Sequence, residues 1–263
     1  MSKLHSSPLP YLALAWRHLR ENPRYIRDYN ACKNRIPEPR ILTKNMTKYA
    51  SNDMFPEMKK WGLLFPIDPT LDAKDLPVMW CPDVLTSAIR IMDASKDETD
   101  EGFKPRSFLK LSSMKCEITV FKDGAGTSHV RLCSDQIWLQ LYCENTDIVS
   151  DDFAFHLNFK RLSGMEKRLQ TAQDLIALFE RRPSKKGLHH GPKSDETYLK
   201  NLESYKVSAG GGTLRDIAIA NEGLRKTKKE WGTGTPIKDR ARYARDRGKS
   251  LVFGGYKDLL KLP

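Results

Sequence analysis

The 263-residue chain has no run of about 18 apolar residues, so its sequence offers no membrane-spanning helix. The apolar part of MSKLHSSPLPYLALAWRHLREN is short and broken by Pro10 and by Trp16-Arg17, so it does not read as a secretory signal. A cytoplasmic, nucleoid-associated location is therefore expected. There is no CxxC pair. Cys32, Cys81, Cys116, Cys133 and Cys143 are odd in number and sit among hydrophobic residues, as buried reduced thiols do. His189-His190 has no neighbouring ligand at metal spacing, so neither a metal site nor a cofactor is expected. Motifs of the GxSxG, HExxH, Walker, GxGxxG and paired-carboxylate kinds are missing too, which argues against an enzyme.

Positive charge is what the chain has in excess, and it is segregated. Of the net +12, residues 1 to 159 contribute nothing, with 21 Lys+Arg and 21 Asp+Glu. Residues 160 to 263 hold 24 Lys+Arg against 12 Asp+Glu. A basic C-terminal portion of this size calls for an anionic partner, with nucleic acid first and an acidic protein or membrane surface second.

Three regions can be distinguished along the chain. From about residue 8 to 50 the pattern is helical, with Leu12, Leu14, Ala15, Trp16 and Leu19 recurring before Asn22-Pro23 interrupts, and Tyr25, Ile26 and Tyr29 continuing. Trp16, Tyr25 and Tyr29 read as core. The segment WGLLFPIDPTLDAKDLPVMWCPDV suits an ordered, irregular or short-stranded connector. ASKDETDEGFKPRS, acidic and poor in apolar residues, is the best candidate for a flexible loop.

Between about 108 and 160 the alternation turns to period two. CEITVF and HVRLC flank the turn-rich KDGAGTS, and QIWLQLYC and FAFHLNF alternate in the same way, which predicts a small antiparallel sheet. Helical spacing then returns in MEKRLQTAQDLIALFERR, with Leu169, Ala172, Leu175, Ile176 and Phe179 on one stripe, followed by the basic, breaker-rich RRPSKKGLHHGPKSD. No internal repeat is found.

Near the C-terminus, TLRDIAIANEG has Thr213 as N-cap, Asp216 three residues on, and Leu214, Ile217 and Ala218 as its buried side. Gly210-Gly211-Gly212 before it reads as capping geometry and not as a phosphate cradle. In TPIKDRARYARDRGKSLV, Thr235 is the expected N-cap and Pro236 the first helical residue. At about 100 degrees per residue, Ala241, Ala244, Gly248 and Leu251 all fall within about 40 degrees of Ile237 and form a seam. Lys238, Arg242, Arg245 and Lys249 fall at about 100, 140, 80 and 120 degrees, a strip without a carboxylate. Such a strip is expected where phosphates or base edges supply the counter-charge. The small seam residues would allow close approach of a neighbouring helix.

The spacing thus suggests a helix-turn-helix, with helices at about 195–207, 213–222 and 236–251. The connection from Asn221 to Thr235 is longer than the usual turn of three or four residues. LRKTKKEW within it is expected to form an extra turn, with Trp231 packing on the triad and Arg225, Lys226, Lys228 and Lys229 facing phosphates.

TLRDIAIANEG, IKDRARYARDRGKSLV and the closing GGYKDLL resemble the C-terminal DNA-binding domain known as DUF2285, compared with the helix-turn-helix of sigma-factor region 4. AWRHLRENPRYIRDY, WGLLFPIDP and WCPDV are similar to the transcriptional-regulator-like domain DUF6499 that often precedes it. Together they cover about two thirds of the chain. The resemblance implies a transcriptional activator of genes for excision and conjugative transfer of integrative and conjugative elements, whose small relatives act as antiactivators. Carried over, the DNA helix falls on Lys238, Arg242, Arg245 and Lys249, and the helix before it on Thr213, Leu214 and Arg215.

The expected fold class is α+β, with N-terminal short helices, a central small antiparallel sheet and a C-terminal all-helical, helix-turn-helix-like domain. The expected domains are residues 1–95, a transcriptional-regulator-like domain with its connector, 96–165, the β region, and 166–263, the DNA-binding domain. Expected DNA contacts are Thr213, Leu214, Arg215, Lys228, Lys229, Lys238, Arg242, Arg245 and Lys249. Double-stranded DNA is the expected partner, with RNA polymerase, a small antiactivator and a second copy as further ones. A competing reading makes the chain an interaction module docking its basic helix on a regulator or polymerase. A tyrosine recombinase would need Tyr256 as nucleophile, but GGYKDLL better suits an apolar tail in which Tyr256, Leu259 and Leu260 close the core.

Overall fold

The computed structural model describes residues 10–51, 55–73, 77–93, 111, 114–134, 138–144, 148–149, 155–159, 164–179, 194–232 and 234–262. The acidic stretch at 94–107, His189-His190 and nearly all of the basic connection at 181–195 lie outside them. No described helix is long and apolar enough to cross a membrane. The fold is α+β. Described residues within Met1–Arg27 and Gly191–Leu259 form one compact unit, and those within Asp28–His190 and Leu260–Pro263 form another.

The second unit is built on a seven-stranded sheet with strands β1 (Arg40–Thr43), β2 (Met46–Ala50), β3 (Ile89–Asp93), β4 (Glu117–Lys122), β5 (Ser128–Cys133), β6 (Trp138–Cys143) and β7 (Phe155–Asn158), ordered β1-β2-β4-β5-β6-β3-β7. The hairpin predicted around KDGAGTS is β4–β5, and β6 continues it antiparallel. The sheet is larger than expected and mixed, because β2 joins β4 in parallel and β3 inserts in parallel between β6 and β7.

The helical expectation for residues 8–50 holds only in its first part. Helices α1 (Tyr11–Leu19) and α2 (Pro23–Cys32) form, and the Asn22 side chain accepts from the Arg24 amide at 2.9 Å where Pro23 restarts the chain. Beyond them, Arg40–Thr43 and Met46–Ala50 make a hairpin around Lys44-Asn45. Asparagine tolerates the backbone of a tight two-residue turn, and Ile41, Thr43 and Thr47 are β-branched, so local chemistry favours strands there.

One sheet face carries Ile118, Val120, Val130, Leu132, Leu139, Leu141, Ile89 and Ile91, and packs with Ala172 and Leu175 of α4 (Met165–Phe179). In α4 the expected stripe is shifted. Thr171 and Asp174 are buried, while Leu169 and Ile176 are 47% and 51% exposed.

The opposite face buries polar groups: Thr119, His129, Arg131 and Gln140. Its cover is the proline- and aromatic-rich connector, which carries α3 (Pro56–Lys59). Phe65 stacks on Phe121 at 4.7 Å between ring centres. Gln140 accepts from the Trp80 amide at 2.9 Å and donates to the Trp80 carbonyl, an edge-like pairing made by a side chain. Arg131 lies over the Trp138 ring at 4.5 Å and donates to the Ala73 carbonyl at 3.4 Å. A desolvated cation–π contact of this kind contributes about 2 kcal/mol, which helps offset burial of the guanidinium.

Candidate nucleic-acid interface

The first unit contains α1 and five C-terminal helices: α5 (Glu196–Ala209), α6 (Leu214–Glu222), α7 (Leu224–Glu230), α8 (Pro236–Ser250) and α9 (Tyr256–Leu259). These bounds agree with the spacing in the sequence. Helix α6 starts in a capping box, in which Thr213 Oγ1 accepts from the Asp216 amide at 3.3 Å and the Asp216 carboxylate accepts from the Thr213 amide at 2.8 Å. The Thr213 hydroxyl, which donates to the same carboxylate at 2.7 Å, and then the Thr213 amide hold the Asp216 carboxyl below its ordinary range. Gly223, at φ +86°, ends α6 and opens α7 at once, a turn that L side chains disfavour. The extra turn expected in LRKTKKEW is α7, and Trp231 packs with Ile217, Ala218, Ile237 and Ala241.

Thr235 occupies the N-cap position of α8 with Pro236 behind it, yet its hydroxyl donates to the Gly232 carbonyl at 3.0 Å and caps nothing. Ile237, Ala241, Ala244, Gly248 and Leu251 are all buried, as the seam predicts. At Gly248 a Cβ would stand 1.9 Å from the Asn201 carbonyl oxygen, so α5 and α8 meet backbone to backbone at a point only glycine permits. Past α8 the chain turns through Gly254 at φ +139° into α9, where Tyr256 and Leu259 are buried, as is Leu260 just after it. Burial raises the Tyr256 phenol pKa well above the ordinary one, in keeping with a core side chain.

Of the strip on α8, Arg242 and Lys249 are exposed and Lys238 and Arg245 half-buried. The strip has no carboxylate within it, but its arginines reach round to neighbours. Arg242 Nη1 lies 3.3 Å from Asp239 Oδ1, and Arg245 Nε lies 2.8 Å from Asp246 Oδ1. The hydrogen bond from Arg245 depresses the Asp246 carboxyl pKa. Part of the counter-charge assigned to phosphate is thus intramolecular in the free chain.

The remaining expected contacts are spread over the same unit. Arg215, Lys228 and Lys229 are exposed on α6 and α7. Leu214 packs against the core cluster, and the Thr213 hydroxyl is engaged with Asp216.

Sequence reasoning missed two features. Glu222 accepts from Lys226 at 2.6 Å and from Arg240 at 3.1 Å, which ties α6, α7 and α8 together through one carboxylate. The Lys226 bond is the main reason its carboxyl stays below the ordinary range. The i, i+4 spacing of Glu222 and Lys226 was the available signal. The second is Tyr243, 67% exposed on the outer side of α8 beside Arg242, which a wheel centred on cations passes over.

Residues 160–261 match the family model described as T6SS, transcription factor, DNA-binding domain. This match supports a DNA-binding domain of transcription-factor type in the C-terminal portion. No curated protein matches the chain. The match takes in α4, which packs on the sheet, together with α5 to α9. Helix α1 lies outside the match, yet it packs on α9 in the same compact unit as α5 to α8. There Asn22 Nδ2 donates to the Val252 carbonyl at 3.0 Å, and the Tyr11 and Tyr198 rings meet edge to face at 6.2 Å.

Proposed function

We propose that the DNA-binding domain reads duplex DNA with α8 laid in the major groove, in a helix-turn-helix arrangement formed with α6 and extended by α7. Arg242 and Arg245 contact base edges in this reading, Lys238 and Lys249 contact flanking phosphates, and Arg215, Lys228 and Lys229 fix orientation on the backbone. Thr213 and Leu214 act by setting the start of α6. The observation that carries the reading is the division of α8 into a fully buried small-residue seam and an outward strip of four cations, within a segment that matches a DNA-binding family.

The protein acts as a transcriptional regulator without catalysis, and the resemblance to excision and transfer regulators supports an activator of mobile-element genes. The family description points to T6SS genes as a second target class. RNA polymerase, a small antiactivator or a second copy are its proposed protein partners. Salt dependence of duplex binding tests the groove reading. Loss of the five phosphate-facing charges, Arg215, Lys228, Lys229, Lys238 and Lys249, should flatten the slope of log K against log salt by up to about 4.5. Reversal of Arg242 and Arg245 to glutamate should abolish specific binding in a folded protein. Undiminished specific affinity in that variant would refute the assignment to α8 and favour docking on a protein partner.

A further inference from the structure

Helices α5, α6 and α8 leave a cavity of about 580 Å³ between them, within the helical unit. This is a volume typical of sites for small molecules. Its apolar lining is Ala218 on α6 with Ile237, Ala241 and Ala244 on α8, all buried. On the wheel of α8, Arg240, Tyr243 and Ala244 fall at about 300, 240 and 340 degrees, against about 80 to 140 for the cation strip. The cavity therefore opens on the side of α8 turned from the strip, and its occupation does not depend on how DNA is read.

One polar side chain in this lining has nothing to bond. Asn201 on α5 is 5% exposed, and its carboxamide has no hydrogen-bond partner among the described residues. The Thr227 hydroxyl also lacks one there but is fully enclosed, whereas both atoms of the Asn201 carboxamide keep contact with water, and Asn201 lines the cavity. Asn221 on α6, in the same lining, differs in donating to Ser204 Oγ at 2.9 Å. Asn201 is also fixed in place, because its carbonyl stands where α5 meets α8 at Gly248. A buried amide left unmet costs stability, so one that is held rigidly at an open cavity marks a place where a ligand supplies the bonds.

The chemistry of the lining sets the class of that ligand. Whichever way its amide is turned, Asn201 presents one donor and one acceptor side by side. The charges around it are already answered: Lys200 by Glu196 at 2.8 Å, Arg240 by Glu222 at 3.1 Å and Asp239 by Arg242 at 3.3 Å. An acid or an amine would therefore enter an apolar cavity without a counter-charge to meet it, a cost that a neutral molecule avoids. We propose that this cavity binds a small neutral primary carboxamide or lactam with an apolar body. In such amides the C=O and an N–H lie on the same side, so the first accepts from Asn201 while the second donates to it. The body lies on the alanines and Ile237, beside the Tyr243 ring.

NMR titration of the full chain with cinnamamide, methyl cinnamate and cinnamate tests it. Cinnamamide should shift the backbone amides of α5, α6 and α8 around the cavity, saturably. The ester, which has no N–H, and the acid, which brings a charge, should each bind at least about tenfold more weakly. Asn201→Leu, similar in volume, should lower the affinity for cinnamamide to that for the ester. If that variant does not fold, Asn201→Ala should show the same loss of preference. Absence of saturable shifts, shifts confined to other elements, equal binding of the three compounds, a variant that keeps the preference for the amide, or failure of both variants to fold would overturn the proposal.

Discussion

At the scale of single residues, Gly248 has the least freedom of the DNA-binding unit's seam positions. A methyl group there meets the Asn201 carbonyl, which is helix backbone and cannot rotate away. Gly248→Ala should therefore cost about 1–3 kcal/mol or more by forcing α5 and α8 apart, although alanine is the better helix former. Chemical denaturation measures it, and a stabilised variant would show that the helices do not meet there. His18 gives a pH-dependent counterpart. It is fully buried, with Nδ1 2.8 Å from the Leu14 carbonyl, and burial lowers its pKa. The unfolded chain then takes up the proton first, so stability is present at neutral pH and falls as pH drops through about 6.5. Unfolding midpoints between pH 7.5 and 5.5, compared with His18→Asn, should show that loss in the wild type and a flatter profile in the variant.

At the scale of elements, α1 is the unexpected part of the helical unit that holds α5 to α9. Its Trp16 is fully buried and meets Tyr25 edge to face at 5.7 Å. Trp16→Ala should cost about 3–5 kcal/mol. Hydrogen exchange should then accelerate in α8 and α9 while the amides of β4 to β6 keep their protection. Unchanged protection in α8 and α9 would mean that α1 does not support them.

What the sequence revealed here depends on how local the cause is. The capping box at Thr213 and Asp216, the seam of α8 and the β4–β5–β6 meander follow from spacing within one element or across one turn. By contrast, β1, β2 and β3 have four or five residues each, too few for alternation to register, and β2 and β3 are held in the sheet by strands distant in sequence. The burial of Arg131 and Gln140 was hidden for a related reason. Polar residues alternating with apolar ones look solvent-facing until the connector that supplies the Ala73 carbonyl and the Trp80 backbone is in place. In the candidate interface the cations of α8 are legible from helical angle, whereas Asp239 and Asp246, which lie outside their strip, answer them all the same. Long guanidinium side chains cross that angle easily.

For the molecule as a whole, the +12 charge belongs to the portion that matches the DNA-binding family, while the balanced portion holds all seven strands of the sheet. Charge asymmetry of this kind steers association with DNA, but it does not by itself select a sequence. The central claim is that sequence is read by one face of α8. Its most direct test is selection of bound sites from random duplex DNA by the full protein, alongside a variant with Lys238, Arg242, Arg245 and Lys249 changed to glutamine. The account predicts a sharp motif for the wild type that is lost in the folded variant. A folded wild type that enriches no motif, or a variant that enriches the same one, would contradict it.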